Sequence, residues 1–367
     1  MNKNKKILII CPYPTDKAPS QRLKYEQYFN YFNYNGWQIT VSPFVTENFW
    51  KVIYKKGHFF EKIIYTIYGY FIRLIDLLRI KKYSIIYIHL WVTPIGLPIF
   101  EWLFAKLSNK MIYDIDDMIF LGHSSDANKF IIKAKGTKKM ITLMKKADHV
   151  ITCTPTLDKF VKQYNSMTTD ISSTINTAIY VPIADYTLHN LPTLGWSGSH
   201  STSKYLKILE PVFVELLKRS IKFKVLIIGD ENFRFSNTEI PFTAIPWSLD
   251  TEVNDLIKID IGLYPLPDEP WVYGKSGLKA LQYMALGIPT IATAIGANFR
   301  IINDGVNGFL IPVGDIDMWI KRIIELLENK ELREKIGKNA RKTVEMYYSV
   351  EANKDKYQTI LESLNNM

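Results

Sequence analysis

The stretch from Gly274 to Ala292, GKSGLKALQYMALGIPTIA, constrains the fold more than any other, because it sets a basic glycine turn, a helix and an apolar strand in one short unit. Gly274 and Gly277 let the backbone approach another group closely, and Gly287 and Pro289 end the helix between them. Lys279, Gln282 and Tyr283 fall at helical spacing on that helix, and Ile288–Ala292 reads as the next strand. A polar turn at a helix N-terminus presents backbone amides and cations to an anionic ligand. Open α/β sheets bind ligands beyond the carboxyl ends of their strands, where such turns lie.

The same alternation runs through the chain. Strand-like runs at Lys6–Cys11, Gln38–Ser42, Ile85–His89, Met111–Tyr113 and His149–Thr152 alternate with helical patterns at Arg22–Tyr34, Phe59–Leu78, Ile99–Leu107, Lys138–Lys146 and Leu157–Tyr164. This predicts an α/β chain whose first half is a parallel sheet covered on both faces. Ser172–Leu194 lacks helical periodicity and holds Pro182 and Pro192, so the interdomain linker is placed there. A second alternation follows, with strands at Thr193–Ser197, Lys224–Gly229, Phe242–Ile245, Ile261–Tyr264 and Ile288–Thr293. Its helices are Tyr205–Lys218, Thr251–Ile257, the one after Gly277, and two more from Ile316 and Glu331. The 367 residues, 47% of them hydrophobic, suffice for two domains, expected at 1–185 and 186–345, with a terminal helical segment at 346–367.

Three segments taken in order, Asp260-Ile261-Gly262-Leu263-Tyr264-Pro265-Leu266, the Gly274–Ala292 unit and Asn303-Asp304-Gly305-Val306-Asn307-Gly308-Phe309-Leu310-Ile311, resemble the donor-binding half of the retaining GT-B glycosyltransferases of family 4, the glycosyl transferases group 1 type. The resemblance covers nearly the whole chain. It implies two Rossmann-like domains facing each other across a cleft, with the last helix crossing back to the N-terminal domain. The implied reaction is transfer of a sugar, with retention, from a nucleoside-diphosphate sugar to an acceptor hydroxyl. Polysaccharide or glycolipid assembly in bacteria is the implied setting. An inactive GT-B protein, an epimerase, a phosphorylase or a binding partner in glycan assembly is the alternative.

In this family the first strand-to-loop turn of the donor domain carries a glycine, then an Arg, then a Lys five residues on. Gly195-Trp196-Ser197-Gly198-Ser199 resembles it: Gly198 matches, Ser199 stands at the Arg position and Lys204 follows at the Lys position. Lys275 and Lys279 are the substitutes for the missing cation. The family's two glutamates, seven residues apart, align with Gly274 and Gln282, so both are absent. Gln282 retains hydrogen-bonding capacity toward a ribose, and Asp268, Glu269 and Trp271 are nearest to the sugar-facing position. Trp247 is assigned to the nucleotide base, with a core role as the alternative. Lys204, Lys275 and Lys279 are expected to stabilise the leaving diphosphate, which itself assists deprotonation of the acceptor, as no dedicated nucleophile stands out.

In the first half, Tyr113-Asp114-Ile115-Asp116-Asp117 follows an apolar strand, so its carboxylates are expected at the carboxyl end of that strand, facing the cleft. Related enzymes place a histidine at Asp116, and Asp114, Asp116 and Asp117 are therefore assigned acceptor-orienting or base roles. Ser20 and Arg22 open the helix after the first strand. They point to phosphate in one reading, and in the other form a plain helix start capped by Ser20. That loop has no glycine fingerprint, which argues against a nicotinamide enzyme. Asp114-x-Asp116 matches a metal-binding DxD, but the donor motifs lie in the other half, so no metal and no cofactor are expected.

Charge is uneven: residues 1–185 hold 25 Lys and Arg against 14 Asp and Glu, and residues 186–367 hold 21 against 22. The basic half suits an anionic membrane or substrate as well as nucleic acid, but no nucleic-acid-binding signature accompanies it. From Lys51 to Lys82, apolar side chains from Phe59 to Leu78 interleave with Lys55, Lys56, Lys62, Arg73, Arg79, Lys81 and Lys82. This basic amphipathic helix is either a membrane-surface contact or a core-packed helix with a solvated basic face. Only two cysteines, Cys11 and Cys153, are present, and both sit in apolar runs, which fits a reducing cytoplasm. The run Ile7–Cys11 is too short for a signal peptide, and Ser84–Phe104 carries His89, Glu101 and two prolines, so no spanning helix is expected there.

Overall fold

Two six-stranded parallel sheets organise the chain, and the computed structural model describes them through residues 5–116 and 137–366. One unit holds residues 1–173 with 353–367, and the other residues 174–352. In the first, strands β1 (Lys6–Cys11), β2 (Gln38–Pro43), β3 (Ile85–His89), β4 (Lys110–Asp114), β5 (His149–Thr152) and β6 (Thr168–Asp170) lie in the order β2-β1-β3-β4-β5-β6. In the second, β7 (Thr193–Ser197), β8 (Lys224–Ile228), β9 (Phe242–Ile245), β10 (Ile261–Tyr264), β11 (Thr290–Thr293) and β12 (Phe309–Ile311) lie in the order β12-β11-β10-β7-β8-β9. All the pairings are parallel, with Leu8 opposite both Thr40 and Ile86, and Gly195 opposite both Leu226 and Gly262.

Both faces of a parallel sheet are covered by its crossover helices, which is why the central strands are near-continuous runs of Ile, Leu and Val. In the first unit Leu8, Ile86, Met111 and Val150 pack with Leu143 and Met144 of the helix Thr137–Lys146. In the second, Trp196, Ile227 and Ile291 pack with Phe213 of the helix Glu210–Lys218 and with Trp319 and Ile323 of the helix Ile316–Glu328. Each fully buried side chain of this size contributes about 1.5–3 kcal/mol. The last helix, Val350–Asn366, sends its residues from Asn353 onward into the first unit, where Tyr357 packs on Tyr28 and Lys5 pairs with Glu362 at 2.6 Å.

Three local expectations are corrected. The helix expected over Arg22–Tyr34 is broken into Pro19–Arg22, a 3-10 turn at Glu26–Tyr28 and Phe29–Tyr34. The polar side chains between them turn inward: Gln21 donates to Tyr13 O and to Glu26, and Lys24 is wholly buried. The helix expected from Tyr205 starts as a 3-10 segment, Ser203–Leu209, and becomes α-helical at Glu210, where Pro211 occupies the first turn and needs no amide partner. The segment 174–192, read as a linker, belongs to the second unit, where Arg341 bonds the carbonyls of Thr177, Tyr180 and Ala285.

The helix Phe59–Arg79 is built inside out. Its fully buried side chains are charged: Arg73 is 0% exposed and bonds Asp76 at 2.9 Å, Ser42 Oγ at 3.1 Å, Cys11 O at 3.1 Å and Val92 O at 2.9 Å. One guanidinium thus ties the helix to the carboxyl ends of β1 and β2 and to the segment after β3. Gly69 lets the helix seat directly on the Phe44 ring. The apolar residues point the other way: Ile67 is 64% and Leu78 88% exposed. The expectation of a core-packed apolar face is therefore corrected, because the buried network occupies the face that the sheet covers.

This arrangement predicts opposite costs for two substitutions. Arg73→Met leaves Asp76 and three further oxygens without that donor and is expected to destabilise the first unit by about 3–5 kcal/mol. Ile67→Ser on the exposed stripe is expected to stay within about 0.5 kcal/mol. Urea unfolding followed by circular dichroism measures both, and equal effects would contradict the inverted orientation.

Candidate functional site

Counted from its own first strand, the second sheet runs 3-2-1-4-5-6, so its winding reverses between β7 and β10. At such a reversal the loops leaving the two strands diverge and open a crevice beyond their carboxyl ends. Those loops are Gly198–Thr202 and Pro265–Gly277, which carry most of the donor residues assigned from sequence.

The turn after β7 is held by the Gly198 amide, which donates to Ile228 O at 2.9 Å. A side chain at Gly198 would stand 2.6 Å from Lys279 Nζ and from the Trp196 ring, so glycine here makes room for an ammonium. Lys279 sits 4.2 Å above the Trp196 centroid and 3.3 Å from Thr202 Oγ1. Burial, reinforced by the nearby charge of Lys275, pulls its pKa down to about 7. No carboxylate pairs with it among the described residues, so an incoming anion is what would restore its charge. Gly277, at φ +73, precedes the helix Leu278–Ala285, whose second residue is Lys279; any side chain at Gly277 would collide with Ile301. Tyr283, on that helix, is buried and accepts the Ser197 amide at 2.7 Å, which fixes the end of β7.

Gln282 belongs to a network that sequence reading missed. Its Nε2 donates to Tyr180 OH at 2.9 Å and to Glu252 Oε1 at 3.1 Å. Tyr180 OH donates to Glu252 Oε2 at 2.7 Å, and Trp247 Nε1 to Glu252 Oε1 at 2.8 Å. An amide oxygen facing that carboxylate would be repelled, so nitrogen faces Glu252 and Oε1 is left as the acceptor that Gln282 offers. Trp247 borders Gly229, whose missing side chain lets the backbone of Gly198 approach. Gly198, Lys279, Trp247 and Gln282 are therefore one contiguous group, with Glu252 and Tyr180 added by the fold. Glu252 lies on a five-residue helix and Tyr180 in the segment read as a linker, and neither carries a sequence signal.

The other assigned residues spread around this group. Ser199 is exposed, with its hydroxyl 2.8 Å from that of Ser201. Lys204 is exposed too, its ammonium over Tyr205, whose ring packs at a tilt against Trp271; Lys275 lies over the other partner, Trp271, at 5.3 Å. Gly274 is buried at the end of the 3-10 segment Pro270–Gly274. Asp268 accepts from Tyr273 OH and Glu269 from the Trp271 indole.

In the first unit, Asp114 ends β4 but does not reach the surface. It is 0% exposed, ion-paired with the equally buried Lys24 and bonded by Tyr87 OH. Burial raises its pKa, yet the Lys24 charge, with His89 beside it, outweighs that and holds the carboxyl below its usual range. The expected direct contact of Asp114 with substrate is thus corrected: its charge is consumed by Lys24. Asp116 lies nearer the surface, 4.0 Å from Nε2 of the His89 ring whose Nδ1 is 3.6 Å from Asp114. Asp117 falls outside the described residues. Ser20 is the second residue of the helix Pro19–Arg22, whose cap is Ala18 without a side-chain bond, so Ser20 is no cap; Arg22 is largely buried.

Among the described residues no helix is long and apolar enough to cross a membrane. The sequence pattern of the family described as glycosyl transferases group 1 matches residues 189–343. The chain is 36% identical over 84 residues to N-acetyl-alpha-D-glucosaminyl L-malate synthase of Bacillus anthracis, covering 23% of this chain and 22% of that protein. It is 25% identical over 182 residues to the capsular polysaccharide biosynthesis glycosyltransferase CapM of Staphylococcus aureus, covering 47% of this chain and 45% of CapM. It thus spans less than half the length of these curated relatives. Solved structures match at full length: sucrose-phosphate synthase from Thermosynechococcus elongatus at TM-score 0.69 and 16% identity, covering 98% of this chain and 99% of that one. HepE of Anabaena, in complex with UDP-glucose, matches at TM-score 0.68 and 15% identity, with the same coverage. Residues 189–343 thus match the glycosyl transferases group 1 pattern, and the chain carries the GT-B fold of two Rossmann-like units.

Proposed function

We propose that the protein is a retaining glycosyltransferase that takes a sugar from a nucleoside-diphosphate donor held by the second unit and passes it to an acceptor hydroxyl of a glycan or lipid-linked sugar. The observation that carries this reading is Lys279, a desolvated ammonium over an open glycine turn at the reversal of the sheet. A diphosphate at Gly198 and Gly277 meets that ammonium and the first amides of the helix Leu278–Ala285. The Oε1 of Gln282 accepts from a ribose hydroxyl, and Glu252 holds the amide in that orientation. As the glycosidic bond breaks, negative charge grows on the diphosphate, where Lys279 stabilises it; Lys275 and Lys204 add charge from the Trp271–Tyr205 side. The departing phosphate oxygen takes the proton of the acceptor hydroxyl as that hydroxyl attacks from the same face, which retains the anomeric configuration. In the first unit Asp116 orients the acceptor, with the His89 ring and the Lys24–Asp114 pair behind it. Glu252 is engaged by three donors, and among the described residues no cluster of acids and histidines could hold a metal ion, so turnover is expected to persist in EDTA. Loss of activity that manganese restores would remove the metal-free mechanism.

Lys279 generates the pH prediction. In the free protein it loses its proton as pH rises through about 7, whereas a bound diphosphate favours the ammonium. Binding of UDP, GDP or dTDP at about pH 8 should therefore take up protons and weaken further as pH rises. Titration calorimetry in two buffers of different ionisation enthalpy reads this directly, and zero uptake would exclude Lys279 as the phosphate cation. Lys279→Ala should lower turnover by about 10²-fold or more.

The Gln282 network generates a swap. Gln282→Glu places a second carboxylate against Glu252 and should cost about 1–3 kcal/mol of stability together with nucleotide affinity. Adding Glu252→Gln should restore most of both. Thermal unfolding with and without nucleotide measures the pair; a Gln282→Glu variant as stable as the parent would show the orientation to be wrong.

A further inference from the structure

We infer that the outward face of the helix Phe59–Arg79 is a docking surface for an anionic lipid bilayer, on which the helix lies flat. Phe60, Ile64, Ile67, Phe71, Leu74 and Leu78 recur at intervals of three and four residues and form one apolar stripe along the helix, each at least half exposed. Scattered exposed apolar residues need no explanation, but an unbroken row of this length on a water-soluble surface marks a contact site. The inversion makes it so: the Arg73 network lies on the inner face, and among the described residues these apolar side chains stay at least half exposed.

The stripe continues onto the segment after β3. Tyr70 OH donates to Ile95 O at 2.6 Å, and the Tyr70 ring packs on Phe100, which sets the exposed Leu97 and Trp102 beside the helix. That segment is pinned from below, where Lys139 Nζ bonds the carbonyls of Thr93 at 3.0 Å and Ile95 at 2.7 Å. The apolar surface is therefore presented by a rigid support.

Charge selects the occupant. Residues 51–82 hold eight Lys and Arg and two acids, and both acids are engaged, Glu61 with His58 and Asp76 with Arg73 and Arg79. The cations gather at the two ends, Lys55 and Lys56 before the helix and Lys81 and Lys82 after it, and Lys106 lies over the Trp102 ring. A second copy packed antiparallel on this stripe would bring the two basic ends together and be repelled. An anionic headgroup layer neutralises both ends while the acyl region takes the stripe, the pattern of a helix lying in the interface plane.

The inference deepens the acceptor side of the proposed reading by placing that unit at a lipid surface, yet its test needs no donor and no turnover. The intact protein is sedimented with vesicles of phosphatidylcholine alone and of phosphatidylcholine with about one third phosphatidylglycerol at low and high salt. Binding is expected to the anionic vesicles, and to fall with salt. The exposed triple variant Ile67→Ser, Phe71→Ser, Leu74→Ser should weaken it by about tenfold or more while melting like the parent. Lys55, Lys56, Lys81 and Lys82 changed to Gln should remove the preference for anionic vesicles. The inference is overturned by absence of binding, by equal binding of parent and triple variant, or by a protein dimer in ultracentrifugation that the triple variant dissolves. Failure of nucleotide to bind, with vesicle binding intact, would count against the transferase reading alone.

Discussion

A parallel sheet covered on both faces leaves its strands no room for charge, and this exclusion organises everything polar in the chain. The central strands read Ile-Leu-Ile-Ile and Val-Leu-Ile-Ile because each side chain meets a helix on one face or the other. Lysines, carboxylates and glycine turns are thereby pushed to the strand ends. At the carboxyl ends the diverging loops of the reversal point collect them. The group around Gly198 and Lys279 exists because β7 and β10 are neighbours wound in opposite directions.

Where charges are buried, each of the two units resolves the cost differently. In the first, Lys24 and Asp114 are withdrawn together with their charges matched, and Arg73 satisfies four oxygens from separate elements. These are closed arrangements that hold loops in place, and breaking one partner is costly. In the second, Lys279 is desolvated beside a like charge and faces aromatic rings, which favour an ammonium only modestly. Lys279 is thus left without a matching carboxylate among the described residues, whereas Lys24 and Arg73 have theirs.

Some losses in the familiar motif acquire a physical reason from the same network. The glutamate expected at position 282 would face Glu252 across 3.1 Å, so an amide is what that neighbour tolerates. Glu252 lies thirty positions away in a short helix, and Tyr180 further still, so no local pattern connects them. Likewise the amphipathic spacing of the helix Phe59–Arg79 was plain in the sequence, but its direction was not. Periodicity tells which residues share a face, and the buried partners Ser42, Cys11 and Val92 decide which face turns inward.

The sequence by itself determined the alternation of strands and helices, the parallel α/β class and the resemblance carried by residues 189–343, since apolar periodicity and glycine turns are local properties written in adjacent residues. It also singled out Gly198, Lys279 and Gln282 through turn and helix spacing, and Trp247 as an aromatic after a strand, and the fold brings these four into one group. Only the tertiary structure decided that Asp114 is spent on Lys24, that Glu252 and Tyr180 stand at Gln282, and that an apolar stripe faces outward. Each of these depends on which distant side chain completes a hydrogen bond or a charge, and that is settled by packing between elements far apart in the chain.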